Sequence, residues 1–124
     1  MVPKWFHLPS MSKTTVLYNY DEASEFEEVL MVEGPFDVYK AGLYAVAYLG
    51  SIPSDIQIRM IQNRWQRVFW MPDRNVNQSD KNFRRAVEKI SEGSNLTILE
   101  VPPGREDPGE STRKEIVKQI RDQL

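Results

Sequence analysis

Three carboxylates, Glu33, Asp73 and Asp107, stand at points of the chain where acids can be gathered for chemistry. Glu33 closes the apolar run Val29-Leu30-Met31-Val32. Gly34, suited to a tight turn, and Pro35, suited to a first helical position, follow it. Asp73 comes after Arg67-Val68-Phe69-Trp70-Met71-Pro72, and Asp107 sits in the loop Pro102-Pro103-Gly104-Arg105-Glu106-Asp107-Pro108-Gly109. The sequence has no cysteine and a single histidine, His7, which excludes disulfides, thiolate metal sites and histidine-rich zinc sites. Any metal must then be held by oxygen, which favours magnesium or manganese. The plain alternative is that these acids cap turns and helix ends, a common use of Asp and Glu.

The elements that must position the acids can be read from hydrophobic period. The runs at 28–32, 44–49, 67–71 and 96–101 are short and apolar, as expected for strands covered on both faces. Between them lie helical patterns. One covers 35–43, with Phe36, Val38 or Tyr39, and Leu43 inward. A second runs from an N-cap at Ser54 to about Asn63. A third follows a cap at Ser79 or Asp80 and reaches about Ile90, and a last one spans 111–123. Residues 21–27 form an acidic short helix or connector, and 1–20 are irregular apart from the β-prone Val16-Leu17-Tyr18. Alternating strands and helices predict an α/β fold: a four-stranded, mostly parallel sheet flanked by helices, preceded by an irregular N-terminal segment. Right-handed crossovers place the ends of all four strands on one edge, so Glu33, Asp73 and the Asp107 loop share a rim.

At 124 residues, 40% hydrophobic and 27% charged, the chain fits one ordinary soluble domain. No apolar stretch approaches the roughly 20 residues that span a bilayer, and the first residues lack the apolar core of a secretory signal. A net charge of −2 gives no whole-domain basic footprint for nucleic acid. Arg59, Arg64, Arg67, Arg74, Lys81, Arg84 and Arg85 crowd the middle of the chain as either a local basic stripe or a solvated face. Trp70, mid-strand, reads as core; Trp65, between Arg64 and Arg67, is the best candidate for an exposed aromatic.

Four stretches, in order, resemble the TOPRIM domain of bacterial and phage DNA primases. They are Val32-Glu33-Gly34-Pro35-Phe36-Asp37, Tyr48-Leu49-Gly50-Ser51, Val68-Phe69-Trp70-Met71-Pro72-Asp73 and Val101-Pro102-Pro103-Gly104-Arg105-Glu106-Asp107-Pro108. Upstream, Pro3-Lys4-Trp5-Phe6-His7-Leu8-Pro9 and the stretch from Lys13 to Tyr18 are similar to the segment that leads into that domain. The resemblance implies a Rossmann-like TOPRIM fold over 28–124 with a primase-like lead-in at 1–27.

It further implies Glu33 as the acid-base group or metal organiser, and Asp73 and Asp107 as metal ligands. Lys4, Lys13, Asp37 and Arg74 would be nucleotide- or nucleic-acid-contacting residues, although Asp37 equally suits a helix N-terminus. The sequence departs from the family's pattern at the second aspartate, where Asn75 stands and leaves an amide oxygen as ligand. In an alternative register Asp73 is the second aspartate and Met71 takes the first position. Gly109, with Glu110 beside it, occupies a position where the family often has another acid.

The implied activity is metal-dependent nucleotidyl transfer for RNA primer synthesis in phage or bacterial DNA replication. Mg2+ or Mn2+ would be weakly held, with bound triphosphate helping to recruit it. Implied partners are single-stranded DNA template, nucleoside triphosphates, and a replicative helicase or another primase subunit. No membrane is implied, and the expected location is the cytoplasm of a bacterial or phage-infected cell. Without a zinc module, basic subdomain or helicase, the chain reads as a fragment, a minimal phage protein or one part of a split primase. The alternatives are a non-catalytic TOPRIM module that binds DNA or a replication protein, and a TOPRIM nuclease.

Overall fold

The computed structural model describes residues 13–123. A 3-10 turn (Lys13–Thr15) and a short helix α1 (Tyr20–Ala23) lead into β1 (Glu28–Val32), α2 (Pro35–Ala41), β2 (Ala45–Ala47), α3 (Asp55–Arg64), β3 (Arg67–Trp70), α4 (Lys81–Gly93) and β4 (Asn95–Ile98). A second 3-10 turn (Pro108–Glu110) precedes α5 (Arg113–Asp122). The strands form one parallel sheet in the order β2-β1-β3-β4. This is the α/β architecture expected from the strand-helix alternation. Among the described residues, no helix is long and apolar enough to cross a membrane.

The unbroken apolar runs follow from a sheet covered on both sides, since alternate strand residues face opposite layers. Val29, Met31, Val46, Tyr48, Val68 and Trp70 pack with Ile58 and Ile61 of α3 and with Phe83, Ala86 and Ile90 of α4. Leu30, Val32, Ala45, Ala47, Phe69 and Met71 pack with Val38 and Ala41 of α2 and with Ile116 of α5. Trp70 is fully buried, stacks on Phe83 at 4.6 Å between ring centres and donates its indole N–H to the Tyr48 hydroxyl at 3.0 Å.

Two expectations are corrected. Trp65 is core, only 1% exposed: its indole N–H donates to the Phe26 carbonyl at 3.0 Å, and Tyr20 packs edge-on against its ring. The flanking arginines do not pull it outward: Arg64 lies over the Trp65 ring, 5.5 Å from its centre, and bonds the Ser24 and Phe26 carbonyls. The phase of α2 also differs. Phe36 and Leu43 are 83% and 61% exposed, while Asp37, Val38 and Ala41 face inward. Gly42, at φ 129°, ends the helix after Ala41, so Leu43 lies outside it and cannot share its inner stripe.

The lead-in is tied to the sheet. Tyr18 and Ala47 exchange backbone hydrogen bonds as an antiparallel bridge that partly covers the β2 edge. Gln57, 1% exposed, forms the α3 capping box with Ser54, and its amide nitrogen donates to the carbonyls of Val16 and Tyr48 at 2.7 and 2.8 Å. Substituting Gln57→Leu strands both carbonyls and removes the partner of the Ser54 N–H, so it should cost about 1–3 kcal/mol. Urea unfolding measures this directly; an unchanged midpoint would show that water replaces the amide freely.

Candidate active site

The site lies beyond the carboxyl ends of the central strands, where open parallel sheets leave a crevice. β1 delivers Glu33 directly after Val32. The Glu33 carbonyl accepts a hydrogen bond from the N–H of Leu49 at 2.8 Å, and Leu49 takes a left-handed φ of 62° to make it. A leucine in that conformation is uncommon and is held by the turn around it. β3 delivers Asp73 through Met71 and Pro72, with Met71 still bonded to Met31 of β1.

Capping, the competing use of acids at this edge, falls to Asp37 and Asp107. Asp37 accepts the Gly34 N–H at 3.0 Å at the start of α2, and Asp107 Oδ1 accepts the Glu110 N–H at 3.0 Å in the second 3-10 turn. Among the described residues, Glu33 caps no helix or turn. It stands against Asp73, whose Oδ1 is buried and receives no donor among the described residues. Two ionised carboxylates cannot hydrogen-bond to each other, and a proton shared with Glu33 or a bound cation would satisfy Asp73 Oδ1. Burial first, then the charge and contact of Glu33, then the charge of Asp107, push the Asp73 carboxyl up to about 7.

Asp37 is raised to about 6, chiefly by burial, with the N–H groups of Gly34 and Gly109 working against that and the charges of Asp73 and Asp107 adding to it. Tyr48, buried beneath the rim, is raised mainly by burial; its indole partner Trp70 offsets this, and the charges of Glu33, Asp73 and Asp37 add to it. Gly109 approaches so closely that a Cβ there would lie 2.8 Å from Asp37 Oδ1 and 3.1 Å from Asp107 Oδ1. A side chain at 109 would therefore force the Asp37 carboxylate to shift.

The structure thus brings Glu33 and Asp73 into contact and sets Asp107 and Asp37 within electrostatic reach. It does not gather them into a finished cage: among the described residues, no group of three or more acid or histidine side chains is arranged to hold a metal. Asp107 Oδ1 is instead engaged in its capping bond to the Glu110 N–H. Asn75 is exposed and lines, with Glu33, Asp73, Ser51, Asn77 and Asn82, a cavity of about 470 Å³. Lys4 lies outside the described residues. Lys13 begins the 3-10 turn near the N-terminus of α3. Arg74 is fastened to backbone carbonyls of the 101–106 loop. The Arg74 clasp and the close approach of Gly109 had no sequence signal, and Ser51, Asn77 and Asn82 are recognisable only once the cavity is seen.

Comparison with known proteins bears on this geometry. No family model matches the sequence, and no curated protein matches it. Solved structures do. The DnaG catalytic core matches at 24% identity and a TM-score of 0.67, covering 93% of this chain and 42% of that one. The E. coli primase catalytic core matches at 25% identity and 0.67, covering 94% and 41%. A DnaG primase catalytic domain bound to single-stranded DNA matches at 25% identity and 0.66, covering 92% and 39%. The chain therefore has a primase-like fold and spans about two fifths of the chains it matches.

The raised acids give a signed pH dependence. Asp73 and Asp37 keep their protons in the folded state up to about 7 and 6, but lose them near 3.8 when unfolded. Between pH 4 and 7 the native state binds more protons, so in EDTA its stability falls as pH rises. Asp55 and Glu115 have lowered pKa values and act below this window. Asp73→Asn should flatten the decline and raise the urea midpoint at pH 8. A wild-type midpoint that does not fall from pH 5 to pH 8 would contradict the arrangement.

Proposed function

We propose that this chain is a primase-type TOPRIM module that carries out, or supports as one part of a split primase, metal-dependent nucleotidyl transfer onto a growing RNA primer. The observation that carries the reading is the contact of Glu33 with Asp73, whose buried Oδ1 lacks a donor, at the strand-end crevice of a primase-like fold. Magnesium is ordinarily held by one or two carboxylates together with substrate phosphates. An oxygen-only pair with one orphaned oxygen fits that mode. Asp73 would hold the ion with Glu33, and Asp107 and the Asn75 amide oxygen would assist once phosphates arrive. Such an ion, when bound, neutralises charge on the triphosphate and lowers the pKa of an attacking 3′-hydroxyl.

The residues of the chain supply the rest. Glu33, free of capping bonds, is the group placed to accept a proton at the rim. Asp37 keeps the Glu33-Gly34 turn closed through the Gly34 N–H, and that bond favours a holding role for Asp37 over contact with nucleotide. Lys4 and Lys13 are assigned to template or nucleotide on resemblance alone. The DNA in one solved neighbour supports single-stranded template as the partner, and a cytoplasmic setting accords with it. A non-catalytic module binding DNA or a replication protein is the second reading. It is favoured by Asn75 and by Gly109, where a side chain would crowd the Asp37 and Asp107 carboxylates.

A Mn2+ titration separates the two. Binding should be weak without nucleoside triphosphate, tighten by about tenfold or more with it, and disappear in Glu33→Gln and Asp73→Asn, since loss of a charged ligand removes several kcal/mol even at an effective dielectric near 20. Extension of a primed single-stranded template should vanish in the same variants. Binding that ignores both substitutions would sink the catalytic reading. Asn75→Asp restores the missing carboxylate and should tighten Mn2+ by about tenfold or more. If affinity stays put, position 75 takes no part in the ion's coordination.

A further inference from the structure

Arg74 follows Asp73 directly, and its charge suggests a phosphate contact; its bonds give it other work. Its backbone N–H donates to the Glu106 carbonyl at 2.8 Å, and Nε donates to the Arg105 carbonyl at 2.6 Å. One terminal nitrogen donates to both Val101 and Pro102 carbonyls, at 2.8 and 3.0 Å. All four acceptors belong to the segment that carries the chain from β4 towards Asp107. Pro102 and Pro103 have no N–H to extend the sheet ladder, so this segment cannot dock on β3 as a strand would. Arg74 supplies the donors instead.

We infer that Arg74 is a positioning residue: its fork fastens the loop carrying Asp107 to the strand end carrying Asp73 and sets how far apart the two carboxylates stand. The consequence for metal rests on the reading of Asp73 and Asp107 as ligands; the mechanical part does not. Past Arg105 the loop braces itself. The Glu106 N–H donates to Glu110 Oε1 at 2.8 Å, the Glu110 N–H donates to Asp107 Oδ1, and Gly109 packs on Asp37. Asp107 is therefore held from both sides, by Gly109 against Asp37 of α2 and by Arg74 against the 101–106 carbonyls, with Arg105 also paired to Glu115 of α5 at 3.4 Å. Truncating the Arg74 side chain keeps its backbone bond to Glu106 but removes the three side-chain bonds to Val101, Pro102 and Arg105, and that stretch of the loop loosens.

Lysine separates this role from direct phosphate binding. A lysine keeps the charge and binds phosphate well, but its single ammonium cannot reproduce a planar fork over several carbonyls. The experiment uses the full chain as wild type, Arg74→Lys and Arg74→Ala. In the absence of metal and nucleotide, amide exchange at Arg105 and Glu106 should quicken about tenfold or more in both variants, while β1 and β3 amides stay protected. With Mn2+ and nucleoside triphosphate, both variants should lose about tenfold or more in Mn2+ affinity, the usual scale for a supporting residue behind a ligand. Unchanged exchange in Arg74→Ala overturns the inference. So does an Arg74→Lys protein with wild-type affinity beside a defective Arg74→Ala, which would mean a direct phosphate contact. Were the wild type to bind no Mn2+ at all, the metal reading would fall, and exchange would still decide whether Arg74 positions the loop.

Discussion

Two carboxyl groups in contact at the end of a parallel sheet are eased by a shared proton or a bridging cation, and the contact of Glu33 with Asp73 is the feature on which this site turns. The strands β1 and β3 are neighbours in register, so the residues that follow them are neighbours too. Among the described residues, Asp73 Oδ1 has no donor, and the charge of Asp107 adds to the burden. A fold that places one acid at each of two adjacent strand ends has built a site that is strained when empty of positive charge and relaxed when charge arrives.

The remainder of the structure bears that burden. Both faces of the sheet are sealed by helices, with the Trp70–Phe83 stack on one side and Ile116 against Phe69 and Met71 on the other. The sealed layers keep the strand ends from spreading apart. The turn at Glu33 is closed twice, by the Leu49 N–H on its carbonyl and by Asp37 on Gly34. The 101–110 loop, which could not join the sheet because of its prolines, is tied down by Arg74 and by the tight packing of Gly109 on Asp37.

Sequence patterns carried the architecture well because each strand is a short apolar run between clear breakers, and each long helix has a readable cap: Ser54 with Gln57, Asp80, and Thr112 with Glu115. They also carried the shared rim, since parallel strands leave all their ends on one side. The phase of α2 was not legible: Phe36 and Leu43 are as apolar as Val38, and only the break at Gly42 decides which residues face the sheet. The burial of Trp65 depended on acceptors in a distant loop, and Arg74 on four carbonyls that no local pattern marks. Gly109 reads in sequence as a missing acid. In three dimensions it is the position where the Asp37 and Asp107 carboxylates close in on the backbone.

The most direct test of the account is the ionisation of Asp73 itself, followed by 13C NMR of its carboxyl carbon from pH 4 to 9, with and without Mg2+ and a non-hydrolysable nucleoside triphosphate. The account predicts a midpoint near 7 in the free protein. With both additions, the midpoint should drop back into the ordinary carboxylate range as a cation takes the place of the shared proton. A free-protein midpoint near 4, or one near 7 that magnesium and nucleotide leave unmoved, would contradict it.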